Sequence, residues 1–123
     1  MVIIDRKASL YREAFYFIAY FYEKYEAMMN EFSNNKMQNQ FELKIDDETA
    51  ILEYYIQDKK IFFNHTEVPV TLRGKGVAAQ LVEKSLEYSR KYEFTVVPSC
   101  SYVAHFVNNH PEWNDILSEG YQM

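Results

Sequence analysis

Two glycines, each preceded by a cation, stand where an alternating strand pattern gives way to a helical one: Arg73-Gly74-Lys75-Gly76. Glycine at such a junction lets backbone amides face a ligand with no Cβ in the way. The first amides of a helix have no internal partner, and the helix dipole adds positive character. Together these make a phosphate site. Arg73 and Lys75 add full charges suited to a pyrophosphate or a 3′-phosphate. The stretch is not a Walker A loop, for want of Gly-Lys-Ser/Thr, and it is not G-x-G-x-x-G, since Ala79 stands at the last glycine position. Taken alone, a plain tight turn is the competing explanation.

A second group of reactive side chains lies downstream. Cys100 precedes a helical stretch that opens near Tyr102. A thiol at a helix start can be acidified and act as a nucleophile. The alternative is a small buried apolar residue. His65 closes a strand, as a base, as a hydrogen-bonding group in a cleft, or as a satisfied structural histidine. His105 reads as a surface or structural residue, and His110, before Pro111, as a cap of the final turn. Cys100, His105 and His110 form C-x4-H-x4-H, which has the wrong spacing for a zinc finger and no evident fourth ligand, so no metal is expected.

The elements that position these residues can be read from periodicity. From about Ala8 to Phe32, apolar residues recur at spacings of three and four, giving one aromatic-rich stripe that ends at Ser33-Asn34-Asn35. That stripe reads first as core packing; the alternatives are a helix that pairs two copies or meets a partner, and a membrane-surface helix, which a polar face poor in Lys and Arg disfavours. From Gln40 the period becomes two. Phe41–Ile45, Ala50–Ile56 and Ile61–Val68 read as three strands of an antiparallel meander, joined by acidic and Asp-Lys turns. Pro69 cannot donate a ladder hydrogen bond and marks an edge or splay. A helix runs from Val77 to about Tyr92. Thr95–Pro98 reads as a short buried strand, Tyr102–Asn109 as a helix, and Glu112–Leu117 as a final short helix. The fold class is α+β with a mixed sheet, and the chain divides into a helical extension (1–36) and a second domain (37–123).

Composition removes several classes of function. With 123 residues, one core of ordinary size is expected. A single Cys forms no internal disulfide, which points to a reducing compartment. The net charge of −5 argues against binding nucleic acid by phosphate neutralisation. The charge lies wholly in residues 37–123 and leans towards a cationic substrate. The most apolar run, Ala14–Tyr22, is far short of the about 20 residues a spanning helix needs. The expectation is a soluble cytoplasmic protein acting at no membrane.

The string Val68-Pro69-Val70-Thr71-Leu72-Arg73-Gly74-Lys75-Gly76-Val77-Ala78-Ala79-Gln80-Leu81-Val82 resembles the acetyl-CoA motif of the GCN5-related N-acetyltransferases (GNAT), Arg/Gln-x-x-Gly-x-Gly/Ala, which Arg73, Gly76 and Ala78 match. The chain is also similar to the small YjdJ-type subfamily. That likeness rests on Phe41-Glu42-Leu43, Ala50–Tyr54, His65-Thr66-Glu67-Val68-Pro69, Pro98-Ser99-Cys100-Ser101-Tyr102 and His110-Pro111-Glu112-Trp113. These blocks occur in family order over residues 37 to about 117. The resemblance implies a sheet that splays between two strands with acetyl-CoA in the splay. It further implies that the backbone of Glu67 and Val68 pairs with the pantetheine arm, and that the amides of Gly74 to Ala79 (with Lys75, Val77 and Ala78 between) hold the pyrophosphate.

In larger members of that superfamily a strand Glu acts as base and a later Tyr as acid. Lys60 stands at the first position and Val107 near the second, so neither role carries over. The resemblance instead directs attention to Cys100, facing the thioester, either as an acetylated nucleophile or as a proton donor to the thiolate, with His65 next. Two functions are consistent with this. One is acetyl-CoA-dependent transfer to an amine. The other is a non-catalytic CoA-binding module with the N-terminal helix as its interaction element.

Overall fold

A computed structural model of the chain describes residues 18–19 and 30–121. The chain divides into two units, Met1–Asn30 and Glu31–Met123. In the first, Ile18 and Ala19 are helical and exposed. The remainder of the helix predicted from Ala8 lies outside the described residues, and so does any pairing of two copies through it.

The second unit is built on a five-stranded sheet in the order β1-β2-β3-β4-β5. The strands are β1 (Glu31–Asn35), β2 (Gln40–Ile45), β3 (Glu48–Gln57), β4 (Lys60–Glu67) and β5 (Thr95–Val97). Neighbours from β1 to β4 are antiparallel, and β4 and β5 are parallel. The expected meander is β2–β4. One correction concerns residues 31–35, which the helical spacing places in the N-terminal extension. They form β1, with Phe32 opposite Leu43 and Asn34 opposite Phe41. Phe32 stacks on the Phe41 ring at 5.6 Å. Tyr54 donates its hydroxyl to Asn34 Oδ1 (2.7 Å), and Asn34 Nδ2 donates to the Tyr88 hydroxyl (3.0 Å). These contacts across the sheet outweigh the poor strand propensity of Ser-Asn-Asn.

Alternation selects the buried face. Phe41 and Leu43 of β2, Ala50, Leu52 and Tyr54 of β3, and Ile61 and Phe63 of β4 point into the core. The hairpin turns place Asp46 (φ 56°) and Asp58 (φ 57°) in the left-handed region that tight two-residue loops require. Helix α1 (Val77–Lys91) crosses from β4 to β5, as a parallel pair demands. It buries Val77, Leu81, Val82 and Leu86 against the sheet. Its buried Ser85 and Ser89 donate to the carbonyls of Leu81 and Ser85, so small polar residues lie in the core with their hydroxyls satisfied. Helix α2 (Ser101–Asn108) comes after β5, and Pro111–Ile116 form a 3-10 turn. Ser118 N donates to the Val96 carbonyl at 2.8 Å, closing β5's second edge, and Val96 and Val97 are buried.

Two irregularities in β4 shape its far end. Glu53 pairs with His65, whereas Tyr54 pairs with Phe63, so Asn64 is an extra residue on β4. The bulge reverses the alternation. Beyond it Thr66, rather than His65, stands opposite buried Leu52. The second irregularity is the end of pairing with β5. The last partners are Phe62 and Val97, and Cys100 N then donates to the Phe63 carbonyl at 2.8 Å before the chain turns into α2. Among the described residues, the edge of β4 from Asn64 to Glu67 has no neighbouring strand on that side, which is the expected splay.

Candidate functional site

The splay opens into a cavity of about 570 Å³. One wall is the end of β4, with His65, Thr66, Glu67 and Val68. The other is the turn into α1, with Arg73, Gly74, Gly76, Val77 and Ala78. Leu72 and Tyr102 complete it. The two segments that the sequence singles out separately are therefore opposite sides of one cleft. Lys75 and Ala79 belong to the same turn and helix start but do not form the wall.

The turn is held by backbone geometry that only glycine adopts readily. Gly74 has φ 79° and Gly76, the residue preceding α1, has φ 74°. A Cβ built on either meets no atom within 4 Å, so the space beside them is open to a ligand. The amides at the start of α1 border that space, and Arg73 and Lys75 stand exposed around it. A CoA pyrophosphate fits this donor set. Arg73 also acts within the protein, where its Nε donates to the Val68 carbonyl at 3.2 Å. This ties the turn to the end of β4 and occupies one backbone group expected to be free for the pantetheine arm.

Cys100 sits directly before α2, half-buried, with Sγ 3.6 Å from Thr66 Oγ1 across the splay. It is not among the residues that line the cavity, whereas Thr66, which its sulfur meets, is. Burial pushes the thiol up. The amides of Val103, Tyr102 and Thr66 and the Thr66 hydroxyl favour the thiolate, and together they bring the thiol below its ordinary value. No full capping hydrogen bond is closed by the sulfur. Because Cys100 is the chain's one cysteine, alkylation reads it alone. The rate of iodoacetamide modification is expected to rise with pH at a midpoint below that of a free cysteine. Thr66→Val removes one group that favours the thiolate and moves the midpoint up. A wild-type midpoint at or above the free-thiol value overturns this assignment.

Residues 40–116 match the family model described as GCN5-related N-acetyl-transferase. The chain belongs to this family. Protein NATD1 of Danio rerio is 27% identical over 85 residues, covering 65% of this chain and 77% of the relative. Protein NATD1 of Homo sapiens is 25% identical over 81 residues, covering 63% and 72%. A solution NMR structure of a GCN5-like protein from Staphylococcus aureus aligns with a TM-score of 0.58 at 24% identity. It covers 73% of this chain and 89% of that one, and shows the same fold.

Within this GCN5-related domain the remaining candidates separate by face. The bulge takes His65 off the buried Phe63 face; it shares its face with Glu67, and its Nε2 lies 3.9 Å from Glu67 Oε2 with both side chains mostly exposed. His65 still borders the cleft, but it does not meet Cys100 there. His105 is exposed beside Asn109. His110 Nδ1 donates to the Phe106 carbonyl at 2.7 Å and its ring stacks on Phe106, so it braces α2 and makes no side-chain cap to the final turn. Among the described residues, no helix is long and apolar enough to cross a membrane.

Two residues of the site escape sequence reasoning. Unbroken alternation puts His65 on the Phe63 face and so favours it over Thr66. The position that carries the acid Tyr in larger relatives falls near Val107, which is buried in the core. Tyr102 lines the cleft instead, and burial raises its phenol above the ordinary value, so it stays protonated. Its position two residues after Cys100, in the first turn of a helix that borders a splay, is the signal that points to it.

Proposed function

We propose that the protein is an acetyl-CoA-dependent N-acetyltransferase of the short YjdJ type, acting on an amine. The observation that carries this reading is the single cleft between the unpaired end of β4 and the Gly74–Ala78 turn. Glu67 and Val68 would align the pantetheine arm, and the turn amides with Arg73 and Lys75 would hold the phosphates. Tyr102, kept protonated, donates a hydrogen bond to the thioester carbonyl and steadies the charge that develops there. The Cys100 thiolate bonds to the acetyl carbon, the carbon–sulfur bond to CoA breaks, and CoA leaves as its thiolate. A neutral amine then bonds to the same carbon, the Cys100 thiolate departs, and His65 accepts the amine's surplus proton.

Calorimetric titration with CoA tests the cleft. Gly76→Ala forces a Cβ onto a left-handed residue, at a cost of about 1–2 kcal/mol. The expected result is CoA binding weakened about tenfold. Gly120→Ala imposes similar strain at φ 95° in the C-terminal turn and serves as the control, with affinity unchanged. Equal affinities in all three proteins remove this cleft from CoA binding. Saturable binding with no acetylated product from any amine tried leaves the non-catalytic module instead.

A further inference from the structure

A second cavity, of about 440 Å³, lies away from the cleft, at the other end of α1. Tyr88 lies eleven positions after Val77, so the two sites are about 16 Å apart along the helix. The rings of Tyr54, Tyr88, Tyr92 and Phe94, with Ile56, form its apolar wall. Tyr88 and Tyr92 lie 4.4 Å apart between centroids. Lys36 lines it from the β1–β2 turn.

The hydrogen bonds on this wall have a definite direction. Tyr54 donates to Asn34 Oδ1, and Asn34 Nδ2 donates to the Tyr88 oxygen. The Tyr88 hydroxyl hydrogen is therefore left to donate. The Lys36 ammonium is a donor too, and Lys91 Nζ lies 5.6 Å from the Tyr92 ring, adding positive charge nearby. None of the described wall residues is acidic. The wall thus presents flat apolar faces and two hydrogen-bond donors, Tyr88 and Lys36, with the Asn39 amide beside them. We infer that this cavity is a binding site for a planar aromatic carboxylate, whose rings lie against Tyr92 and Phe94 and whose carboxylate takes hydrogen bonds from Tyr88 and Lys36. A volume near 440 Å³ holds one or two fused rings with a short acidic arm. The site is independent of the acetyl-transfer reading, since it shares no wall residue with the cleft.

Indole-3-acetate and its neutral amide, titrated into the full chain and followed by assigned amide NMR spectra, test the inference. Saturable shifts are expected at Lys36, Asn39 and Phe94 with the acid. The amide is expected to bind about tenfold more weakly, the size of one lost charge-assisted hydrogen bond. Lys36→Ala, on an exposed turn, abolishes most of that preference without threatening the fold, and Tyr88→Phe weakens the acid while keeping the ring. Absence of saturable shifts, shifts confined to the His65–Ala78 cleft, or equal affinity for acid and amide overturns the site.

Discussion

Phe41→Ala lowers the unfolding free energy by about 3–5 kcal/mol, the range for a fully buried Phe truncated to Ala. Phe41 is completely buried, and four rings converge on it: Phe32, Tyr54, Phe63 and Tyr88, at 5.6, 4.8, 6.0 and 5.1 Å. They come from β1, β3, β4 and α1, so this side chain joins the first strand and the helix to the centre of the sheet. Collapse around the void is restricted, because the Tyr54–Asn34–Tyr88 hydrogen bonds hold two of the rings in place. A domain of this size has only about 5–15 kcal/mol in total. At about 4–8 °C per kcal/mol, the melting temperature falls by at least about 12 °C. Phe41→Leu, which keeps most of the volume, costs far less. Thermal denaturation of the three proteins checks this, and a shift of only a few degrees in Phe41→Ala would show that the ring cluster is not the centre of stability.

The same cluster explains what the sequence could and could not disclose. Strands β2, β3 and β4 and helix α1 are legible because each buries one face, so period two or 3.6 is written into its own residues, and β5 is legible as a short apolar run. Phe32 shows where that logic fails. It continues the three-and-four spacing of the residues before it, and Ser33-Asn34-Asn35 looks like a helix end. What makes it a strand is Phe41 beneath it and Tyr54 and Tyr88 reaching Asn34, all from later in the chain. The bulge at Asn64 is equally silent. One extra residue on β4 has no local signature, yet it decides whether His65 or Thr66 stands opposite Leu52. The glycine turn is legible because its chemistry is local: Gly74 and Gly76 adopt the left-handed backbone that their composition suggests. The thiol's surroundings are only half legible. The helix start after Cys100 is visible in the sequence, whereas Thr66, 34 residues earlier, is not.

Cys100→Ala reduces kcat for acetyl transfer on the order of 10³-fold or more, the scale of losing a covalent nucleophile. The affinity for CoA is expected to stay within a few-fold of wild type, since the Gly74–Ala78 turn is elsewhere and Thr66, Glu67 and Tyr102 still wall the cleft. That split between turnover and binding separates a chemical role from a packing one, because a merely structural cysteine half-buried before α2 would disturb both or neither. A covalent route makes a further demand. Wild-type protein given acetyl-CoA without an amine carries one acetyl group on Cys100, recoverable by peptide mass spectrometry, and Cys100→Ala carries none. The pH dependence is set by the lowered thiol. The reactive thiolate is lost as pH falls through the folded-state value, so the acid limb of kcat/KM lies below the range of an ordinary cysteine and moves up in Thr66→Val. Tyr102 does not titrate in that window, because burial holds its phenol above the ordinary tyrosine value. Undiminished turnover in Cys100→Ala ends the covalent route and leaves direct attack of the amine on the thioester, with Tyr102 as the donor on the cleft wall.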